Sequence, residues 1–287
     1  MRSEQIEAFI AAAEDSSFAA AGRRLSAHRS TLSAAVAALE DDLNVQLFTR
    51  SGNRLTLTPI GESILADCQR LLSSAQLIRQ RCAQHSQGVE NKLRIARDDA
   101  LPEFIWLRAL QRLQQKYPLT ATEVYLVPRQ EHATFISLET VDLAFGLGPP
   151  SPQSEPLSPI PQVLVAAPGH ALSRLPVVEE DDLRQSREIC LTYLAQGRLV
   201  ATPLYSSNYT AMTSYELIRD AVEDGQGWAV LPAVLVQDAL KQKRLVDIHH
   251  TQALPAINYQ VRHRGKPGPV ALSLQNLIQS AIKQLES

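Results

Sequence analysis

The chain has 287 residues, 45% of them hydrophobic, and a formal net charge of -2. That length supports two domains with cores of their own, and so balanced a charge excludes a global basic field, so any nucleic-acid surface must be local. Three cysteines, Cys68, Cys82 and Cys190, are too few and too scattered for a disulfide framework or a zinc site. No stretch approaches the roughly 20 apolar residues of a spanning helix, and Glu4 and Glu7 with no long apolar run argue against a secretory signal. A cytoplasmic protein with no metal and no membrane contact is expected.

From Glu4 to Ala13, the residues Ile6, Phe9, Ile10 and Ala13 recur at helical spacing. Ser16 or Ser17 then caps an Ala-rich second helix that runs to about Leu25. After a short break a third helix is expected from about His28 to Asp42, with an inward stripe of Leu32, Val36, Leu39 and Leu43 and a polar outer face at Arg29, Ser30 and Ser33. Two helices joined by so short a turn, the second polar on its outside, suit insertion into a DNA major groove. Gln46 to Thr58 alternates around Ser51-Gly-Asn53, a turn between two short strands. This hairpin carries Arg50 and Arg54 and no acid, and an arginine at such a tip can reach a phosphate or a narrow minor groove.

Pro59 suits a first helical position, and the helical pattern then continues to about Gln87. Gly61, Ile64, Cys68, Leu71, Ala75, Ile78 and Cys82 follow one another at spacings of 3, 4, 3, 4, 3 and 4. That seam argues for pairing with a second helix and hence a dimer. Cys68 and Cys82 on it act as small hydrophobes. Beyond Gly88, strands and helices alternate. Strands are expected at Leu93–Ala96, Ala121–Val127, Val141–Leu147 and Gln162–Ala167, a glycine turn into a buried strand within Gly225–Pro232, and helices at Phe104–Tyr117 and Ala233–Lys241. Thr213-Ser-Tyr-Glu216 matches a capping box that opens a further helix. The alternation indicates an α/β region with open sheets.

With these residues in view, the chain resembles the LysR-type transcriptional regulators over essentially its whole length. The resemblance rests on Phe9-Ile-Ala-Ala-Ala-Glu-Asp-Ser-Ser-Phe-Ala-Ala-Ala21, Leu32-Ser33 with Leu39-Glu40, Leu43-Asn-Val-Gln-Leu-Phe-Thr-Arg50 and Leu57-Thr-Pro-Ile-Gly61. Farther along, Lys116-Tyr-Pro118, Val141-Asp-Leu-Ala144, Ala167-Pro-Gly-His170 and Gly225-Gln-Gly-Trp-Ala-Val-Leu-Pro232 resemble the family's effector domain. It implies a multi-domain α/β chain: a winged helix-turn-helix at 1–58, a linker and dimerisation helix at 59–88 and a two-lobed, periplasmic-binding-protein-like domain at 89–287. In that division lobe I spans about 91–162 plus 264–287 and lobe II about 163–263. It further implies a small-molecule effector in the cleft with no other cofactor, tetramers built from two dimers, double-stranded promoter DNA as partner and contact with RNA polymerase.

The reading face departs from the family. Where Ser-Gln-Pro or Ser-Gln-Ser usually opens the recognition helix, this chain has His28-Arg29-Ser30, and Ala34 replaces a usual basic residue. His28, Arg29, Ser30, Ser33, Arg50 and Arg54 are the expected DNA contacts, with Arg29 able to take guanine O6 and N7 where a glutamine would favour adenine. By the resemblance, the loops Arg97-Asp-Asp-Ala100 and Thr210-Ala-Met-Thr-Ser214 point into the effector cleft, which makes Asp98, Asp99, Thr210, Thr213 and Ser214 the expected ligand contacts. Asp98 or Asp99 can equally cap the following helix, and Thr213 is expected to cap its own. Two aspartates oppose an anion and favour a neutral, polyhydroxylic or cationic effector. Two rivals stay open: a regulator that acts without ligand, and an α/β binding protein or enzyme whose N-terminal helices only dimerise. A non-DNA module has no need of an acid-free Arg50/Arg54 hairpin, and no phosphate loop or nucleophile elbow supports catalysis.

Overall fold

The structure is a computed structural model that describes every residue except 52–53, 196–197, 202–203, 252–253, 255–256 and 286–287, together with all side chains but those at 50, 51, 54, 195, 198, 199 and 201. It divides into two compact units, Met1–Ser86 and Gln87–Ser287.

The first unit begins with α1 (Ser3–Asp15), α2 (Phe18–Arg24) and α3 (Arg29–Leu43). An antiparallel hairpin follows, β1 (Phe48–Ser51) and β2 (Arg54–Leu57), with Phe48 opposite Leu57 and Thr49 opposite Thr56. The unit ends with α4 (Pro59–Ser86). Ser17, in extended conformation, caps α2 by accepting the Ala20 N–H at 3.4 Å, whereas Ser16 takes a left-handed φ of 49° and ends α1. The helical stripe of α1 (Ile6, Phe9, Ile10) meets that of α3 (Leu32, Val36, Leu39) in one core. Phe48 closes it, its ring 5.5 Å from Phe9 in a tilted contact and 5.9 Å from Phe18 edge-on, contacts that add to burial. Three aromatic rings thus tie α1, α2 and the start of the hairpin together. Leu43, expected on the inward stripe of α3, is 38% exposed: it is the last residue of the helix, and Asn44 turns the chain away with a left-handed φ of 55°.

The second unit holds two sheets. Its elements are β3 (Lys92–Arg97), α5 (Glu103–Lys116), β4 (Ala121–Leu126), α6 (His132–Ser137), β5 (Leu143–Gly148), β6 (Glu155–Ile160), β7 (Gln162–Ala166), α7 (Glu180–Gln185), β8 (Glu188–Ala195), β9 (Arg198–Ala201), β10 (Tyr209–Met212), α8 (Tyr215–Glu223), β11 (Trp228–Pro232), α9 (Ala233–Lys241), β12 (Val246–Asp247), β13 (Ile257–His263) and α10 (Pro269–Leu285). The first lobe is built on the order β4-β3-β5-β13-β6, in which β3 runs parallel to β4 and β5 while β13 runs antiparallel to β5 and β6. The second lobe is built on β10-β8-β11-β7-β12, with β9 paired to β8.

The chain passes from one sheet to the other between Ile160 and Gln162 and returns in β13. That return moves a boundary. The sequence division places residues up to 263 in lobe II, but Ile257–His263 forms the strand between β5 and β6 and belongs to the first lobe. The core of that lobe packs Leu93, Ile95, Phe145 and Val261 of the sheet against Ile105, Trp106 and Leu113 of α5 and Leu274 and Ile278 of α10. Trp106 stands edge-on to Phe145 with ring centres 5.3 Å apart. Asp142, in the Val141-Asp-Leu-Ala144 segment, takes two N–H groups of the Arg94 guanidinium at 2.9 and 3.2 Å and one of Arg264 at 2.9 Å. Burial alone would raise its carboxyl, and these arginines outweigh it and hold it low.

Candidate functional site

In the first unit the outward side of α3 is laid out as its spacing predicts. Leu32, Val36 and Leu39 are buried, while His28, Arg29, Ser30, Ala34 and Ala37 are exposed and Ser33 is half-buried. His28 stands at the N-cap in extended conformation (φ -70°, ψ 142°) and its side chain makes no capping hydrogen bond. Its carbonyl accepts the N–H groups of Thr31 and Leu32 at 3.0 and 3.2 Å. The start of the helix is therefore bare of side-chain caps and faces solvent. Glu40 carries a role that the spacing did not announce. Its Oε1 accepts the backbone N–H of Leu47 at 2.6 Å and of Phe48 at 3.1 Å, fastening the base of the hairpin to α3. At the same base of the hairpin the Thr58 hydroxyl donates to the Gln46 carbonyl at 2.7 Å and accepts the Gly61 N–H at 3.1 Å, capping α4. The Arg50 and Arg54 side chains, and Gly52 and Asn53 of the expected turn, lie outside the described residues.

The seam on α4 has two fates. Its first part (Gly61, Ile64, Cys68) packs into the core of the unit, whereas Leu71 and Ile78 are 48% and 63% exposed and Cys82 lies open. Burial raises the thiols of Cys68 and Cys190, which leaves them poor nucleophiles.

In the second unit, Asp98 and Asp99 both have internal partners. Asp98 is buried and accepts the N–H groups of Leu147 at 2.7 Å and Ala100 at 3.2 Å. Burial pushes its carboxyl up to about 7, although both amides favour the charged form. Asp99 reaches across to α8 and accepts the Tyr215 N–H at 2.8 Å. Ser214, with its hydroxyl 3.2 Å from the Glu216 N–H, is the cap of α8. Thr213 is not the cap: the helix starts one residue later than the capping-box spacing suggests, because Ser214 holds the extended N-cap conformation (φ -138°). Thr210 pairs opposite Ile189 in the parallel ladder of β10 and β8. Asp99, Ser214 and the start of α8 are thus brought together, Asp98 turns into the fold, and Thr213 is exposed.

A cavity of about 210 Å³ opens in the first lobe. Its floor is a patch of two strands, Ala144 and Gly146 of β5 directly opposite Arg262 and Gln260 of β13, and its far wall is Arg129 and His132. None of the ligand contacts expected from the sequence lines it. The sequence carries one signal of it, Ala144-Phe-Gly-Leu-Gly148, a strand in which small residues alternate with large ones, so one face is apolar core and the other a trough. Among the described residues no group of three or more His, Cys, Asp or Glu side chains gathers to hold a metal, and no helix is long and apolar enough to cross a membrane.

A helix-turn-helix with a two-stranded wing, followed by a long helix and a two-lobed α/β unit, defines the class of DNA-binding regulators that carry a ligand-binding domain. Residues 3–62 match the family model of bacterial regulatory helix-turn-helix proteins of the lysR family, and residues 86–283 match that of the LysR substrate binding domain; the chain belongs to the LysR family and is a transcriptional regulator rather than an enzyme. It is 28% identical over 258 residues to the HTH-type transcriptional regulator PtxR of Pseudomonas aeruginosa, covering 86% of this chain and 82% of that one. It is 29% identical over 285 residues to the AhcY transcriptional activator HvrB of Rhodobacter capsulatus, covering 93% and 91%. Among solved structures, full-length CbnR, a LysR family transcriptional regulator, superposes with a TM-score of 0.58 at 19% identity over 97% of this chain and all of that one. CbnR in complex with its target DNA superposes at 0.56, over 98% of this chain and 99% of that one. These similarities show the fold.

Proposed function

We propose that this protein is a cytoplasmic homotetrameric regulator that reads promoter DNA through the N-terminal face of α3 and changes its grip when a small molecule binds the second unit, with no other cofactor. In this reading His28, Arg29, Ser30 and Ser33 enter the major groove and Arg50 and Arg54 of the wing contact the backbone or minor groove. The observation that carries it is the exposed, side-chain-uncapped start of α3, where Arg29 and Ser30 project beside open backbone amides suited to phosphate. Arg29 takes guanine at one operator step, through a bidentate bond to O6 and N7. The exposed apolar run of Leu71 and Ile78 on α4 is covered by the same helix of a second copy, giving a dimer with two readers and a tetramer of two dimers. An effector that favours one spacing of those readers shifts that population, altering DNA bending and contact with RNA polymerase.

The test is selection of bound sequences from random duplex DNA by the full-length protein, followed by mobility shifts at two salt concentrations. Binding should weaken steeply with salt. Arg29→Gln should relax the preference at a guanine step, while Arg54→Gln should weaken all sequences alike and lower the salt slope by about one. Absent or salt-insensitive binding would overturn the reading, and an unchanged base preference in Arg29→Gln would remove the guanine assignment alone. Leu71→Glu with Ile78→Glu should shift the sedimenting species toward monomer.

A further inference from the structure

The first-lobe cavity has a charge pattern that its sequence neighbourhood hides. Two arginines line it, Arg129 in the turn before α6 and Arg262 on β13, and among the described residues neither has a carboxylate within ion-pair reach. Arg262 donates instead to two neutral groups, the Gln153 side-chain oxygen at 2.7 Å and the Ser154 hydroxyl at 3.3 Å. Arg129 has only a marginal contact with the Pro149 carbonyl at 3.5 Å. His132 is buried and bonded through Nε2 to the Val127 carbonyl at 3.0 Å, so Nε2 carries the proton and donates. Burial first, and then the charges of Arg129 and Arg262, press that imidazole down to about 4, and it adds no charge at neutral pH.

Asp98 lies close by: its Oδ2 sits with the His132 ring on the cavity side of Gly146, 3.0 Å from where a Cβ there would stand, but it is buried and its two oxygens accept the backbone amides of Leu147 and Ala100. Two half-buried guanidinium groups thus line one small space, and among the described residues no carboxylate is within ion-pair distance of either. Burial and the charge of Arg262 lower the proton affinity of Arg129, with Asp98 partly opposing them. Leaving two such charges uncompensated is costly unless something else pairs with them.

The space itself is built for an occupant. Gly146 and Gly148 lie on the side of β5 opposite its core-facing Phe145 and Leu147. A Cβ at 146 would come 2.8 Å from the His132 ring, and one at 148 would collide with the Arg129 guanidinium. The missing side chains let Arg129 lie against the strand. The Gln260 amide, buried on the floor, donates to the Pro149 carbonyl at 3.1 Å and leaves its oxygen and second N–H for other partners. At about 210 Å³ the cavity is below the usual 300–1,000 Å³ of drug-sized sites, which suits a short metabolite rather than a polymer or a large ring system.

We propose that this cavity binds a small organic dianion of dicarboxylate type, one carboxylate taken by Arg129 and the other by Arg262, with Gln260 and Ser154 orienting it. A planar guanidinium matches a carboxylate through two parallel N–H bonds, and a pair of them lining one small cavity selects a ligand with two negative groups. This deepens the effector reading above and rests on it for its regulatory meaning. It departs from the neutral, polyhydroxylic or cationic effector expected from Asp98 and Asp99, because neither lines the cavity and both accept backbone amides, Asp98 those of Leu147 and Ala100 and Asp99 that of Tyr215.

The experiment is calorimetry and thermal unfolding of the full-length protein with malonate, succinate, glutarate, phthalate and inorganic phosphate, with succinamide as the uncharged control. At least one dicarboxylate should bind and raise Tm while succinamide does neither. Arg129→Gln and Arg262→Gln should each weaken that binding tenfold or more, and Arg262→Lys should keep part of it. The variants' unfolding midpoints without anion verify that they are folded. No binding by any dicarboxylate, binding by phosphate alone, or dicarboxylate binding indifferent to both arginines overturns the proposal. A mobility shift run without anion tests the DNA reading separately: its failure counts against the first unit's role and leaves the calorimetry decisive for the cavity.

Discussion

The two units build their working surfaces in opposite ways. In the first, the proposed reading face is one side of a single helix, and the residues that expose it (Leu32, Val36 and Leu39 beneath; Arg29 and Ser30 above) are neighbours in sequence. In the second, each wall of the cavity comes from a different stretch of chain: residues 129–133 before and within α6, residues 144–146 on β5 and residues 260–262 on β13. A surface made by one helix depends on that helix being held in place from behind. One made by paired strands depends on register, because a slip of a single residue in β13 would turn Gln260 and Arg262 to the other face.

The contrast can be broken most severely at Phe48, whose ring joins α1, α2 and the wing. Phe48→Ala should cost about 3–5 kcal/mol, read by urea unfolding, and should abolish DNA binding while sparing anion binding by the second unit. If both functions fall together, the units do not act separately.

Next in size is a pH effect confined to the second unit. Asp98, raised to about 7 in the fold, binds a proton there that the unfolded chain has lost above about 4, so its contribution is full at low pH and disappears as pH rises through 7. His132, lowered to about 4, does the reverse: its contribution is full above its ordinary value near 6.5 and is lost as pH falls toward 4. Across pH 4–6.5 the two slopes oppose each other, each about 1.4 kcal/mol per pH unit at most. Asp98→Asn should leave stability rising with pH in that window, and His132→Gln should leave it falling, both read from urea midpoints at stepped pH.

A smaller loss, about 1.5–3 kcal/mol, is expected for Glu40→Ala, which strips a charged acceptor from two backbone amides. Faster hydrogen exchange at Leu47 and Phe48 should accompany it, with weaker DNA binding. Smallest is the test of the α8 start. Ser214→Ala should cost about 1 kcal/mol as a lost cap, whereas Thr213→Ala, at an exposed position outside the helix, should stay within about 0.5 kcal/mol.

What could be read without coordinates follows the same division. The helices of the first unit, the hairpin, β7 and α9 all lie within a residue or two of where periodicity and turn residues put them, because their signals are local. The α8 cap missed by one residue for a local reason too: Thr213 and Ser214 are both able caps, and only the backbone conformation separates them. The stripe on α4 looked like one continuous seam, but its first half serves the core of its own unit and only the second half is left exposed. Periodicity reports that a face is apolar and is silent on what covers it.

The order of residues in this chain was enough to define the reader helix, the wing, the α/β character of the remainder and membership of the LysR family, since each depends on patterns a few residues long. Tertiary structure alone decided that β13 crosses back into the first lobe, that Asp98 points inward while Asp99 holds α8, and that Arg129 and Arg262 line one cavity with Gly146. Those facts come from strand pairing and burial between segments far apart in the chain, most of them more than a hundred residues, and no local propensity encodes which strand a strand will choose.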